Sequence, residues 1–146
     1  MDDMLMERSG VAVVEPQRET FTGRMISVII PTKYRPDDIE ATVQSVLRQT
    51  ILPGQIVVID QSSTQEIRLR LEKLFDGLPE NAQAETELCH IYDPSIVGAA
   101  AARNRGMDAA TGSILLFLDD DVNLEELFIE RLLETYQRNP ATAGVS

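Results

Sequence analysis

Residues 115–122 read L-L-F-L-D-D-D-V, four apolar residues followed at once by three carboxylates. An unbroken apolar run predicts a strand buried on both faces, as in parallel sheets. Asp119, Asp120 and Asp121 then lie at its carboxyl end, where open α/β sheets bind ligands. Because adjacent carboxylates repel one another, they favour a divalent cation, which can also hold a phosphate. The alternative is a helix N-terminus, with Asp121 or Asn123 as its cap.

Working outward from this stretch, buried strands alternate with amphipathic helices. Apolar and β-branched runs predict strands at 25–31, 55–60 and 88–92, before a fourth at 114–118. Apolar residues at helical spacing predict four helices. The first is capped by Asp37, and the second ends at Gly77. The third is Ala-rich and closely packed over residues 98–110, and the fourth covers residues 124–136. Residues 80–87 are predicted to be a loop, and 143–146 the opening of another strand.

This alternation predicts an α/β fold with right-handed crossovers and a mostly parallel sheet covered by helices on both faces. Asp60 follows the second strand, and Thr32 follows the first. Since parallel strands end at the same edge, these residues and the three aspartates should lie together. The convergence favours a ligand site over a helix cap.

Composition narrows the classes of function. The chain has 146 residues and a net charge of −11, which argues against general nucleic-acid binding and against a polybasic membrane surface. The single cysteine, Cys89, excludes an intrachain disulfide and favours a reducing compartment. It and the neighbouring His90 are interpreted as structural. No apolar run approaches the roughly 18 residues of a membrane span, so a cytoplasmic location is expected, with the inner face of the membrane an alternative for a longer form.

The N-terminus differs in character from the rest. Residues 1–24 are acidic at their start and have no apolar signal core, and they are interpreted as a poorly ordered leader. Residues 11–14 could add an edge strand. The domain proper is expected to cover residues 25–146.

Four segments form a recognisable pattern: V-I-I-P-T-K-Y-R at 28–35, V-V-I-D-Q-S-S-T at 57–64, G-A-A-A-A-R-N-R-G at 98–106 and G-S-I-L-L-F-L-D-D-D at 112–121. In this order and spacing they resemble the family 2 glycosyltransferases. The resemblance implies the nucleotide-sugar-binding part of a GT-A fold, a Rossmann-like sheet in the strand order 3-2-1-4, incomplete at its C-terminus.

The resemblance also implies where a nucleotide-diphosphate sugar would bind. Thr32 and Tyr34 are similar to the loop that holds the base and ribose, and Asp60 to an acidic residue that contacts the same groups. Arg103 is placed like an arginine near the diphosphate. The full implied set is Pro31, Thr32, Tyr34, Arg35, Asp60, Gln61, Arg103, Asp119 and Asp120 for the nucleotide sugar, and Asp119 and Asp121 for Mg²⁺ or Mn²⁺.

Structural interpretations stay open beside these roles. Arg103 and Arg105 are two apart on a predicted helix, so at most one faces a phosphate, and both could be solvated. Asp60 could instead accept hydrogen bonds from the amides of Ser62 and Ser63 as a turn residue. Tyr34 could be an ordinary surface aromatic.

Two departures from the family pattern matter. Many members carry a second Asp where this chain has Gln61, so a uridine diphosphate sugar is only the default donor. No carboxylate beyond Asp121 lies in a segment suited to the catalytic base, since Glu125, Glu126, Glu130 and Glu134 fall on a predicted solvated helix. No catalytic residue is therefore assigned, and the chain is expected to be a fragment containing the donor half only.

The expected function is a metal-dependent, inverting transfer of a sugar from a nucleotide diphosphate to the hydroxyl of an unidentified acceptor. A non-catalytic nucleotide-sugar-binding module is the alternative. A response-regulator-like or phosphatase-like domain would need a nucleophilic Asp on the first strand, where this chain has Pro31 and Thr32.

Overall fold

The computed structural model describes residues 4–6, 12–14 and 20–145. The strands are β1 (Met4–Met6), β2 (Ala12–Val14), β3 (Ile26–Thr32), β4 (Gln55–Asp60), β5 (Glu87–Tyr92) and β6 (Ile114–Phe117). The helices are α1 (Pro36–Leu47), α2 (Glu66–Asp76), α3 (Glu80–Glu85), α4 (Ala99–Ala109) and α5 (Phe128–Arg138).

Four strands form one parallel sheet in the order β5-β4-β3-β6. Counted from β3, this is the order 3-2-1-4, so the predicted fold is confirmed. Thr32 at the end of β3 pairs in register with Asp60 at the end of β4. The carboxyl ends of these strands therefore meet at one edge of the sheet, as the alternation of strands and helices predicts.

The core lies on both faces of the sheet. One face of β3 and β4 packs against α1, α2 and α5, with Val28, Val58 and Ile129 fully buried. The other face, which includes Ile29, packs against α4. A Cβ added at Gly106 of α4 would lie 2.5 Å from Ile29 Cγ2, so this helix approaches the sheet as closely as the Ala-rich sequence predicts.

The burial of β6 differs from the prediction. Ile114 and Leu118 are buried, but Phe117 is 41% exposed. Within the described residues β6 pairs with β3 alone, so one side of the strand has no neighbour. The apolar run does form a strand, but the strand is not buried on both faces.

Several helix boundaries also differ. Pro36, not Asp37, begins α1, and no side chain caps the helix. A short helix, α3, occupies the predicted loop at 80–87. The last helix begins at Phe128 rather than at residue 124. Neither Asp121 nor Asn123 can therefore be its N-cap, and the capping alternative for the aspartates is wrong.

The two ends of the chain differ from the prediction in part. Strand β2 exists where an edge strand was expected, but it pairs with β1 in a separate antiparallel ribbon. Much of the predicted leader, residues 1–3, 7–11 and 15–19, lies outside the described residues. Residues 143–145 form no strand, and Ser146 is not described. Within the described ranges, none of the helices combines the length and apolar character needed to cross a bilayer.

Candidate functional site

A cleft of about 380 Å³ opens at the carboxyl ends of β3, β4 and β6. Its position is the one expected for ligands of an open α/β sheet. Ten residues line it: Pro31, Thr32, Lys33, Arg35, Gln61, Ala99, Arg103, Asp119, Asp120 and Asp121. Eight of these belong to the set predicted from the sequence. Lys33 and Ala99 were not predicted, and the predicted Tyr34 and Asp60 do not line the cleft.

Asp120 points into the protein. It is 8% exposed, accepts a hydrogen bond from Thr32 Oγ1 at 2.9 Å and pairs with the Arg35 guanidinium at 3.2 Å. Burial raises the pKa of Asp120, and the neighbouring Asp121 adds to the rise, while Thr32 and Arg35 oppose it. The middle aspartate thus anchors the loop, and its oxygens are already occupied.

Asp119 and Asp121, on either side, face solvent at the cleft. Their side chains are 71% and 54% exposed, respectively. Arg103 lies 3.5 Å from Asp119, and Arg35 lies 3.6 Å from Asp121. These are loose, exposed pairs, which contribute little to stability. Both carboxylates therefore remain available to a ligand.

Helix α1 holds the aspartate loop through buried polar side chains. The Thr42 hydroxyl donates to the backbone carbonyl of Asp120 at 2.8 Å and accepts from the Val122 amide at 3.1 Å. One turn further, Ser45 Oγ accepts from the Leu124 amide at 3.0 Å. The loop is therefore fixed to the helix by its backbone, and the outer carboxylates take no part in this attachment.

Asp60 lies beneath the cleft rather than on its wall. It is fully buried, its Oδ1 accepts from the Ser62 amide at 3.0 Å, and its Oδ2 lies 3.0 Å from His90 Nε2. Since an ionised carboxylate can only accept, His90 Nε2 is the donor. Burial acts to raise the pKa of Asp60, but the hydrogen bonds from His90 and Ser62 outweigh it and hold the pKa below 3.8. Asp60 thus has the turn role that the sequence left open, but through the Ser62 amide, whereas the Ser63 amide donates to the Tyr34 hydroxyl at 3.1 Å.

Tyr34 lies beside the cleft in a left-handed conformation with φ 54°. Its amide donates to Ser62 Oγ at 2.8 Å, and its hydroxyl lies 2.5 Å from Ser63 Oγ. These contacts join the loop after β3 to the loop after β4. Tyr34 is 54% exposed as a residue, and its predicted contact with a base stays a prediction.

The donor set of the cleft fits a hard divalent cation. Mg²⁺ commonly takes one or two carboxylates and completes its shell with water and substrate phosphates. Asp119 and Asp121 supply two exposed carboxylates on one loop, with Asp120 turned away. Among the described residues no group of three His, Cys, Asp or Glu side chains could hold a metal ion.

The model of glycosyl transferase family 2 matches residues 27–145, which is most of the chain and all of the main sheet except Ile26. The chain belongs to this family. The resemblance stated from the four segments is therefore confirmed, and the response-regulator alternative is excluded.

Curated relatives of this family 2 chain are named as glycosyltransferases. It is 28% identical over 123 residues to the glucosyl-dolichyl phosphate glucuronosyltransferase of Haloferax volcanii, with 82% of this chain and 36% of that protein covered. It is 32% identical over 110 residues to the putative teichuronic acid biosynthesis glycosyltransferase TuaG of Bacillus subtilis, with 75% of this chain and 41% of that protein covered. The chain thus spans well under half the length of these relatives.

Solved structures share the fold. A 1–349 fragment of Staphylococcus aureus TarS in complex with UDP superposes with a TM-score of 0.64 at 22% identity, over 79% of this chain and 32% of that one. Glucosyl-3-phosphoglycerate synthase from Mycobacterium tuberculosis, in complex with Mn²⁺, UDP and glucosyl-3-phosphoglycerate, gives a TM-score of 0.56 at 23% identity. The match covers 79% of this chain and 40% of that one. The GT-A architecture of the family 2 chain follows from these matches.

Three features of the site were not predicted from the sequence. His90 was interpreted as structural or exposed, which agrees with its place beside Asp60, but the hydrogen bond to Asp60 was not predicted. Lys33 lies between predicted loop residues, so its place in the motif was a usable signal. Ala99 lines the cleft because α4 begins there, immediately after Gly98, whose φ of 89° favours glycine.

Proposed function

We propose that this chain is the donor-binding part of a metal-dependent glycosyltransferase. The enzyme transfers a sugar from a nucleotide diphosphate to an acceptor hydroxyl, with inversion as the family resemblance implies. The observation that carries the proposal is the grouping of Asp119, Asp121 and Arg103 around one cleft at the carboxyl end of the sheet. A diphosphate is bound through a cation and through hydrogen bonds to its phosphate oxygens. The two carboxylates offer oxygen ligands for the cation, and the guanidinium of Arg103 lies beside them to pair with a phosphate.

Each group has a distinct part in this proposal. Asp119 and Asp121 would hold Mg²⁺ or Mn²⁺, and such a cation would supply positive charge to stabilise the departing diphosphate. Arg103 leaves its loose pair with Asp119 to contact a phosphate oxygen. Thr32, held against Asp120, shapes the floor of the cleft. The neighbours solved with UDP, one of them also with Mn²⁺, support this choice of ligands.

We assign no catalytic base within this chain. An inverting transfer needs a carboxylate near the acceptor hydroxyl. After Asp121, Glu125 pairs with Arg131 and Glu134 with Arg138, all on exposed surface. None of these lines the cleft. The second candidate is a nucleotide-sugar-binding module that transfers nothing by itself, and detectable transfer by the 146-residue chain would exclude it.

Calorimetric titration of the chain with UDP, with and without Mn²⁺, tests the proposal. Wild-type protein should bind UDP only with Mn²⁺, and Asp121→Ala should weaken that binding at least tenfold. Asp108→Ala is the matched control, because Asp108 is an exposed carboxylate near the far end of α4, without a side-chain partner among the described residues. Folded wild-type protein that binds none of UDP, GDP and dTDP with Mn²⁺ would contradict the donor site. Equal loss in both variants would contradict the role of Asp121.

A further inference from the structure

Arg35 lies immediately before α1, and its guanidinium contacts three carboxylates among the described residues. Its Nε donates to Asp38 Oδ2 at 2.9 Å, and its Nη1 lies 3.2 Å from Asp120 Oδ1. Its Nη2 lies 3.6 Å from Asp121 Oδ2, which is the longest of these contacts. The guanidinium is thus held on two sides, and its third side faces a carboxylate that is proposed to hold a cation.

The two closer carboxylates keep Arg35 in place. Asp120 is 8% exposed and accepts from Thr32 Oγ1 at 2.9 Å, so it is fixed from the opposite side. Removal of one partner from a buried ion pair is strongly destabilising, because it leaves an uncompensated charge. Asp38, in the first turn of α1, adds a second contact from the helix. Arg35 is therefore held beside the aspartate loop, residues 119–121.

Arg103 is held less firmly than Arg35. Within the described part of the chain its carboxylate contact is with Asp119 alone, at 3.5 Å, and both side chains are exposed. Such a pair contributes little to stability, so Arg103 can leave it for a phosphate. Arg35 lacks this freedom, because it is paired with two other carboxylates besides Asp121. A cation at Asp121 would thus have a fixed positive charge beside it.

We propose that Arg35 is an internal counter-charge that sets the cation affinity of the aspartate loop, an inference that rests on the proposed function. In the free protein its guanidinium partly neutralises Asp121 and repels a divalent cation, so the affinity for Mn²⁺ or Mg²⁺ alone is low. A nucleotide diphosphate adds negative charge, which offsets the guanidinium. Because coupling between two ligands is reciprocal, each strengthens the binding of the other. Arg35 is thus a positioning residue that makes cation binding depend on the diphosphate.

Titration with Mn²⁺ in the absence of nucleotide tests this assignment by the sign of the effect. Arg35→Gln should bind Mn²⁺ about 5- to 30-fold more tightly than wild-type protein, because a positive charge close to the cation is removed. Arg35→Lys keeps the charge and should retain nearly the wild-type affinity. A residue that only supports the loop would act in the opposite direction, since its removal would loosen the carboxylates. Screening at about 0.5 M NaCl should reduce the gain.

Two matched comparisons make the titration specific. The chain has a net charge of −11, so Mn²⁺ also binds elsewhere on its surface. Asp121→Ala, introduced into wild type and into Arg35→Gln, identifies the Mn²⁺ that is bound at the site. Arg35→Gln is also introduced into an Asp120→Asn background, where no buried charge is left unpaired. The same gain in Mn²⁺ affinity is expected in this background, which keeps the test valid if the single variant does not fold.

Calorimetry with UDP measures the coupling itself. UDP should increase the affinity for Mn²⁺ by a larger factor in wild-type protein than in Arg35→Gln. Mn²⁺ binding that is unchanged or weaker when Arg35→Gln is introduced into a folded background would overturn this inference. The donor site would still stand if Asp121→Ala abolished the Mn²⁺-dependent binding of UDP. Wild-type protein that shows no Mn²⁺-dependent binding of UDP, GDP or dTDP would overturn the proposed function and the inference together.

Discussion

Asp60 and His90 form a buried polar pair on which the loop after β4 is built. The carboxylate accepts from His90 Nε2 and from the Ser62 amide, and Ser62 Oγ accepts in turn from the Tyr34 amide. Because the pKa of Asp60 is below its ordinary value of 3.8, ionised Asp60 stabilises the folded state. This stability is fully present above the unfolded pKa, and it is lost as the pH falls through the lower folded pKa.

We therefore predict that Asp60→Asn weakens the acid dependence of folding. The free energy of unfolding, measured with urea between pH 6 and pH 2.5, should fall less steeply below about pH 4 in the variant than in wild-type protein. The substituted amide would retain an oxygen that can accept from the Ser62 amide. Asp108→Asn removes an exposed carboxylate from the negative end of α4, so its profile should be as steep as that of wild-type protein or slightly steeper, never shallower. Parallel pH profiles for wild type and Asp60→Asn would contradict the assigned role.

The sequence predicted which side chains come together at the carboxyl end of the sheet, but not the contacts that each of them makes. The run of three aspartates indicated a cation site, yet only coordinates separate Asp120, turned inward to Thr32, from its exposed neighbours. The pairing of His90 with Asp60 depends on the register of two strands, in which Val58 lies opposite His90. Apolar periodicity predicts strands and helical faces, but it does not specify such cross-strand contacts.

Helix α1 is the element that links the core to the aspartate loop. Thr42, Ser45 and Gln49 lie on the buried side of the helix or just beyond its end, and all three bond to backbone groups between residues 120 and 129. The Leu124 amide thereby bonds to Ser45, and Gln49 Nε2 donates to the Glu125 carbonyl at 2.6 Å. These tertiary bonds hold residues 122–127 out of a helix, which is why the last helix begins later than its apolar spacing predicts.

The roles of Thr42, Ser45 and Gln49 could not be predicted from the spacing of apolar and polar residues in the sequence. The apolar face of α1 was predicted correctly, because its residues Ile39, Val43 and Val46 are all buried. Polar residues on that face look like solvated positions until their partners are known. Those partners lie more than 70 residues away in the chain and contribute only backbone atoms, so no side-chain pattern indicates them.

We predict that Thr42→Val destabilises the protein by about 1–3 kcal/mol, because it leaves the Asp120 carbonyl and the Val122 amide without their partner in a buried place. Valine has nearly the shape of threonine, so packing is retained. Thr42→Ser keeps the hydroxyl and should retain most of the stability. Urea denaturation compares the variants, and equal stability of the two would contradict the role of the hydroxyl. Mn²⁺-dependent UDP binding should weaken in Thr42→Val alone.

The whole molecule carries 24 acidic and 13 basic side chains, a net charge of −11. Such an excess destabilises the compact state through self-repulsion. The effect is largest for carboxylates without a partner. Asp76 is the last residue of α2, and Asp108 is the penultimate residue of α4. Both therefore lie where the helix dipole already disfavours negative charge.

We predict that the double variant Asp76→Asn and Asp108→Asn is more stable than wild-type protein. Each substitution should add about 0.3–1 kcal/mol at low ionic strength, because it removes a charge from the negative end of a helix and lowers the overall repulsion. At about 0.5 M NaCl, where the Debye length is roughly 4 Å, most of this gain should disappear. Thermal and urea unfolding at the two salt concentrations measure the difference. A gain that persists unchanged in high salt would show that it does not arise from charge, since asparagine and aspartate have similar helix propensities.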